Sequence, residues 1–269
     1  MNTIGFVGSG NMAEALIKGI TTAKLYAPEN VFVSDIRTER LELLKEKYGV
    51  TAVENNAGLA GKVQILVLSI KPQNMNDALE SIKDTINSDT LVISIAAGIK
   101  IANIAAVLGD MAIVRVMPNT PALIGEGASG LYANEQAKSL LEKAVSICSS
   151  VGKAVVVDNE DLIDAVTAVS GSGPAYYFLL MEEMVKAGVE LGLPEDVAKD
   201  LVLQTAKGAG LLATEADKNN ESPAELRRKV TSPGGTTEAA LKVFADGKIS
   251  DLITAAITRA RDRGRELSK

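Results

Sequence analysis

Hydrophobic positions follow two regimes along the chain. In the first half they come as short, nearly unbroken runs: Ile4 to Val7, Val31 to Val33, Ile65 to Ile70, Leu91 to Ile95, Ile113 to Met117 and Ala154 to Val157. Runs this continuous predict strands covered on both faces, as in a parallel sheet, because a half-solvated strand alternates apolar with polar. Between the runs, apolar residues recur at helical spacing, as at Met12, Leu16, Ile17 and Ile20, and again at Leu41 and Leu44. Strand alternating with helix over about 150 residues is the pattern of a doubly wound, Rossmann-like α/β sheet.

The pattern changes near Glu160. Beyond it the chain is rich in Ala, Leu and Glu and offers no strand. Helices are expected over Pro174 to Leu193, Pro194 to Thr214, Thr236 to Ala245 and Ile249 to Leu267, with Pro174 and Pro194 where a helix start tolerates proline. The boundary falls near residues 158–162. The expected division is a dinucleotide-binding domain over 1–160 and an all-α domain over 161–269.

Composition narrows the chemistry. The 269 residues hold no histidine, no tryptophan and one cysteine, Cys148. That excludes a Ser-His-Asp triad, a Cys-His dyad, a histidine general base, an intrachain disulfide and a protein-only zinc site, so no metal is expected. A net charge of −6 argues against nucleic acid or a membrane surface as partner. No leader pairs a basic start with an apolar run, and no run reaches about 18 apolar residues. The expectation is a cytoplasmic protein without a membrane segment.

Gly8-Ser9-Gly10-Asn11-Met12-Ala13 reads GxGxxA between a predicted strand and a predicted helix. The first glycine permits the turn, the second lets a pyrophosphate approach the backbone, and the small third residue lets helix and strand pack closely. The second strand ends Ser34-Asp35-Ile36-Arg37. Asp35 suits the ribose 2′-hydroxyl of NAD, whereas Ser34 and Arg37 suit the 2′-phosphate of NADP. The two signals oppose one another, and Asp35 and Arg37 as mere caps of the next helix is the plain alternative. No tyrosine is followed four positions later by lysine, and no GxxxxGK[ST] occurs, which removes short-chain dehydrogenase and P-loop chemistry. Hydride transfer without a histidine acid or a tyrosine base suits a C=N acceptor, since a protonated iminium is already electrophilic.

In the helical half, Ser232-Pro233-Gly234-Gly235-Thr236-Thr237 precedes a helix. A proline and two glycines make a turn whose N–H groups point outward, and the hydroxyls of Ser232, Thr236 and Thr237 add donors. Such a loop holds a small carboxylate without arginine or histidine. An ordinary helix-opening turn capped by Thr236 or Thr237 is the alternative.

With these motifs assembled, the chain resembles the pyrroline-5-carboxylate reductase family over nearly its whole length. The carriers are GFVGSGNMAEAL at 5–16, SIKPQ at 69–73, RVMPNTPALIGEG at 115–127, SGSGPAYYF at 170–178 and TSPGGTTEAAL at 231–241. The resemblance implies reduction of the cyclic imine 1-pyrroline-5-carboxylate to L-proline with NADPH or NADH. It implies that Ser69, Ile70, Lys71 and Pro72 bind the cofactor, with Lys71-Pro72 at the nicotinamide-side ribose, that Asn56 lies near the adenosine ribose, and that Ala97 and Gly98 border the nicotinamide. It also implies that the Ser232–Thr237 loop takes the substrate carboxylate, with Thr237 near the imine nitrogen as partner or proton relay. Self-association as a homodimer or a ring of dimers is expected from the same source. Asp35 departs from a simple NADP pattern and leaves that preference open.

Other candidates have structural readings. Arg115 in a strand suggests an ion pair, Cys148 a small core residue, and Tyr176 and Tyr177 packing or interface aromatics. Arg259, Arg261, Arg263, Arg265 and Lys269, interrupted by Asp262 and Glu266, suggest a solvated helix end. Two competing functions share the layout: a β-hydroxyacid dehydrogenase, for which Lys186 sits too far along its helix, and a non-catalytic dinucleotide sensor.

Overall fold

A computed structural model describes residues 3–267. Among these, eight strands lie in one sheet: β1 (Ile4–Val7), β2 (Val31–Ser34), β3 (Thr51–Ala52), β4 (Ile65–Leu68), β5 (Leu91–Ser94), β6 (Ala112–Met117), β7 (Gly127–Ala133) and β8 (Gly152–Val156). Their order is β3-β2-β1-β4-β5-β6-β7-β8. From β3 to β6 every pairing is parallel. The chain starts in the middle and reverses direction between β1 and β4, the switch point at whose carboxyl ends such sheets bind ligands.

Seven helices accompany the sheet: α1 (Asn11–Thr22), α2 (Thr38–Tyr48), α3 (Asn56–Ala60), α4 (Met75–Ile82), α5 (Ile101–Leu108), α6 (Leu141–Ser149) and α7 (Leu162–Val166). Consecutive strand residues enter opposite cores. Ile4, Phe6, Ile65, Val67, Leu91 and Ile93 pack with Ile17 and Ile147 on one face. Val7, Leu66, Leu68 and Val92 pack with Leu59, Leu79 and Ile104 on the other. Burial on both faces is why these strands read as unbroken apolar runs.

Two strands escape that signal. β3 has two residues, both exposed. β7 reads Gly-Ala-Ser-Gly-Leu-Tyr-Ala, too many small residues for an apolar run, and it pairs antiparallel with β6. The sheet is therefore parallel-dominated, not wholly parallel, and β8 joins it alongside β7.

The remaining helices are α8 (Gly173–Glu190), α9 (Glu195–Asp217), α10 (Pro223–Lys229), α11 (Thr236–Asp246) and α12 (Ile249–Leu267). α7 leads towards α8 through a wide turn in which the Ser172 N–H donates to the Thr167 carbonyl, five residues back, at 2.8 Å. α10 has too few apolar residues to show a period. Its mark is the capping box between Ser222 and Glu225.

The chain gathers into two compact units: residues up to Pro174 with those from Arg259 on, and Ala175–Thr258. In the first, Arg115 is buried and its guanidinium donates to Glu160 at 3.2 Å and Asp164 at 3.4 Å, so it is a structural ion pair. Cys148 is a buried core residue whose thiol burial pushes up to about 12. The arginines near the C-terminus are matched by carboxylates: Arg259 and Arg263 by Glu266, Arg261 by Asp262, and Arg265 by Asp164. Lys269 lies outside the described residues. In the second unit, α10 and α11 bury no residue, and Tyr177, Phe178, Leu179, Leu211, Leu212 and Val243 are all exposed. Among the described residues no helix is long and apolar enough to cross a membrane.

Candidate active site

The turn after β1 is built from backbone outward. Gly8 has φ +93°, and its N–H donates to the Ser34 carbonyl at 2.8 Å. A Cβ at Gly8 would lie 2.6 Å from the Ser69 carbonyl oxygen and 2.7 Å from Ile70 Cγ2. Conformation and space both require glycine there. The Ser69 hydroxyl donates to the Gly8 carbonyl at 2.7 Å, tying the end of β4 to the turn.

Ser9 is fully buried and held on every polar group. Its N–H and hydroxyl both donate to Asp35 Oδ2 at 2.7 Å. Its carbonyl accepts from Arg40 Nε at 2.9 Å and Nη2 at 2.8 Å. Arg40 in turn pairs with Glu14 at 2.8 Å. Glu14 also accepts from Lys47 and Tyr48, and the Lys47 ammonium leads in holding its carboxyl down to about 2.

Gly10 completes the turn as the N-cap of α1, with no side-chain cap. A Cβ there would meet no atom within 4 Å. The first N–H groups of the helix, at Asn11 and Met12, therefore lie behind an open approach, where the helix dipole favours an anion. Ala13 is buried against the core, as a small third residue must be. These residues fit a dinucleotide pyrophosphate. Among the described residues no group of three or more Cys, Asp or Glu is placed to hold a metal ion.

At the end of β2, the buried Ser34 hydroxyl donates to Asn56 Oδ1 at 2.8 Å, and Asn56 donates to Ser81 Oγ at 3.2 Å. Asp35 accepts from Ser9 and from the backbone and guanidinium of Arg37. Burial pushes the Asp35 carboxyl up, but the Arg37 and Ser9 donors outweigh it and hold the group well below the usual carboxylate range. Arg37 is the N-cap residue of α2, and its side chain makes no capping hydrogen bond.

Along the same side of the sheet, Lys71 and Pro72 are exposed just beyond β4, and Ala97 and Gly98 follow β5. Because β1, β4 and β5 are parallel neighbours, Gly8–Gly10, Ser69–Pro72 and Ala97–Gly98 stand at three consecutive strand ends.

The loop before α11 is a second glycine turn. Pro233 and Gly234 occupy its centre, Gly234 has φ +70°, and the Gly235 N–H donates back to the Ser232 carbonyl at 3.0 Å. Positive φ at the position after proline suits a type II turn and requires glycine. Gly235, not Thr236 or Thr237, is the N-cap of α11, and it carries no side-chain cap. The threonine hydroxyls are thus not spent on closing the helix. Thr237 is half-buried, while Ser232, Pro233, Gly234 and Thr236 are exposed. The Gly234 N–H donates to Glu238 Oε2 at 2.8 Å, so a carboxylate of the chain already sits on this turn.

Two of these residues were not among the candidate site residues. Arg40 grips Ser9 from 31 positions away, which no local pattern reveals. Glu238 lies four residues after Gly234, and that spacing at a helix start is legible as a capping carboxylate.

The family model described as pyrroline-5-carboxylate reductase dimerisation matches residues 160–267, and one described as NADP oxidoreductase coenzyme F420-dependent matches residues 3–98. A pyrroline-5-carboxylate reductase of Pseudomonas aeruginosa is 44% identical over 268 residues, covering 99% of this chain and 97% of the relative. The structure of a Coxiella burnetii pyrroline-5-carboxylate reductase superimposes with a TM-score of 0.94 at 40% identity, covering 100% of this chain and 99% of that one. A Plasmodium falciparum pyrroline carboxylate reductase with NADP bound gives 0.86 at 31% identity, covering 100% and 98%. From its first glycine turn to its last helix, this chain belongs to the pyrroline-5-carboxylate reductase family.

Proposed function

We propose that the protein reduces 1-pyrroline-5-carboxylate to L-proline with NADPH or NADH, the last step of proline biosynthesis. The observation that carries this reading is a pair of glycine turns, each leaving a long helix without a side-chain cap at its N-terminus. One suits a pyrophosphate and the other a small carboxylate. Kinship at 44% identity over the full length favours a reductase over a non-catalytic sensor or a β-hydroxyacid dehydrogenase. Lys186, too far along its helix to serve as the lysine of such a dehydrogenase, is ion-paired with Glu182 and Glu183.

Bound NAD(P)H supplies the hydride that adds to the imine carbon. The N–H groups of Asn11 and Met12, behind Ser9 and Gly10, hold the pyrophosphate. Ser34, Asp35, Arg37 and Asn56 shape the adenosine side, and Ser69 to Pro72 with Ala97 and Gly98 shape the nicotinamide side. Ser232 to Thr237 hold the carboxylate, and the Thr237 hydroxyl hydrogen-bonds to the ring nitrogen and passes the neutral imine the one proton it needs, which solvent replaces after turnover. Orientation and exclusion of water do the rest, since a protonated imine needs no histidine acid.

Residues 1–160 act as the dinucleotide domain and 161–269 as the substrate and dimerisation domain. The exposed apolar side chains of α8, α9 and α11 support pairing with a second copy, as homodimer or ring of dimers. Nucleic acid and membrane are not partners in this account, and the cytoplasm is the proposed location. The test is NAD(P)H absorbance after adding the imine. Steady decline with proline formation is expected, and a flat trace with both cofactors would overturn the proposal.

A further inference from the structure

β5 ends at Ser94 and α5 starts at Ile101, so Ala97 and Gly98 sit in a short connection between a strand end and a helix start. Its upstream end is tied to the sheet, where the Ile95 N–H donates to the Leu68 carbonyl at 3.1 Å. Its downstream end has no local anchor. Lys100, the N-cap residue of α5, makes no side-chain cap, and the first N–H groups of a helix have no partner within it. The anchor comes from 59 positions away. Glu160 Oε1 accepts the Ile101 N–H at 2.8 Å, a carboxylate where the helix dipole favours one.

Glu160 is itself held. The same oxygen accepts from Arg115 Nη1 at 3.2 Å, and Arg115 Nη2 reaches Asp164 at 3.4 Å. Arg115 stands on β6 directly beside Ser94 of β5, and its side chain is 2% exposed. A buried, planar guanidinium with two carboxylate partners leaves the Glu160 side chain little freedom. The adjacent pair of Lys100 with Asp161 is 40% and 63% exposed, and solvent screening leaves it little strength. Glu160 is therefore the anchor.

We propose that Glu160 is a positioning residue for hydride transfer: locked by Arg115, it caps α5 through the Ile101 N–H and so fixes the Ala97–Gly98 connection against the nicotinamide ring. The inference rests on the reductase reading above and adds to it a residue that acts through this connection rather than on the reactants.

Three full-length variants test it by kcat and by calorimetric binding of NADPH and of 2′-phospho-ADP-ribose, which lacks only the nicotinamide. Glu160→Ala should lower kcat by about 10- to 100-fold, the scale of a reacting group misplaced by about 1 Å. It should weaken NADPH several-fold while leaving 2′-phospho-ADP-ribose within about twofold. Glu160→Gln keeps an amide oxygen for Ile101 and should restore kcat to within about threefold of wild type, although its melting temperature falls because Arg115 loses a charge partner. Ile101→Pro removes the same hydrogen bond and leaves the Arg115–Glu160 pair intact. Lys100, at φ −78° and ψ 154°, already has the backbone of a residue before proline. This variant should reproduce the selective loss of Glu160→Ala, and it carries the test if Glu160→Ala does not fold. Wild-type kcat in Glu160→Ala or Ile101→Pro, equal weakening of both ligands, or a Glu160→Gln protein as slow as Glu160→Ala would overturn the proposal. A wild type that binds NADPH but reduces no cyclic imine would bring down the reductase reading and the positioning role with it, an outcome seen before any variant is made.

Discussion

Gly8 and Gly10 are two positions apart, yet replacing each with alanine should do opposite things. Gly10 has φ −69° and ψ 179°, which any residue adopts, and a Cβ there meets nothing within 4 Å. Gly10→Ala should therefore change folding stability by no more than about 0.5 kcal/mol. Its methyl group nonetheless fills the approach to the first turn of α1. Losing one charge-assisted hydrogen bond to a phosphate is worth about 1.5–3 kcal/mol. At about 1.4 kcal/mol per decade, NADPH should bind about 10- to 150-fold more weakly. Gly8→Ala instead places its Cβ 2.6 Å from the Ser69 carbonyl oxygen at φ +93°. Left-handed strain of about 1–2 kcal/mol and overpacking of about 1–3 kcal/mol sum to about 2–5 kcal/mol. At roughly 2–4 °C per kcal/mol, melting should drop by about 4–20 °C. Thermal melts and calorimetric NADPH titrations of the two variants make the assay. A Gly10→Ala protein that melts and binds like wild type would refute the placement of the pyrophosphate.

Other outcomes follow from named contacts. Thr237→Ala should lower kcat by about 100-fold, the scale of a positioned proton donor, with NADPH affinity unchanged; wild-type turnover would leave Thr237 as an ordinary first-turn residue. Glu238→Ala frees the Gly234 N–H and should lower KM for the imine a few-fold, whereas a raised KM would make Glu238 a support of the loop. The Glu14 carboxyl, held at about 2 chiefly by Lys47, adds stability that is full above its ordinary range near 4.5 and lost as pH falls towards 2. The melting gap between wild type and Glu14→Gln should thus narrow between about pH 5 and pH 2, and a constant gap would contradict the pairing. Phe178→Glu puts a charge on an exposed apolar stretch of α8, and light scattering should show the proposed dimer weakened to monomer; an unchanged mass would remove that side chain from the proposed interface.

Much of the fold was legible because burial on both faces leaves a local trace. β1, β2, β4 and β5 announce themselves by apolar runs, and β6 by one interrupted only by Arg115, whereas β7 spends its positions on Gly, Ala and Ser and does not. Both glycine turns were legible for a related reason, since the backbone geometry of Gly8 and Gly234 is a local demand that only glycine meets. The state of Asp35 was not legible. Its partner Ser9 lies 26 residues earlier, and whether a carboxylate is free or saturated depends on tertiary contacts that no spacing encodes. Arg40 escaped notice for the same reason, while α10 was marked only by its capping box.

The central claim is that this chain adds hydride to the C=N bond of 1-pyrroline-5-carboxylate. The most direct measurement supplies NADPH deuterated at the transferring position and analyses the product by mass spectrometry. The account expects L-proline carrying deuterium on the ring carbon bonded to nitrogen and remote from the carboxylate. Unlabelled proline, or no proline with either deuterated cofactor, would contradict it.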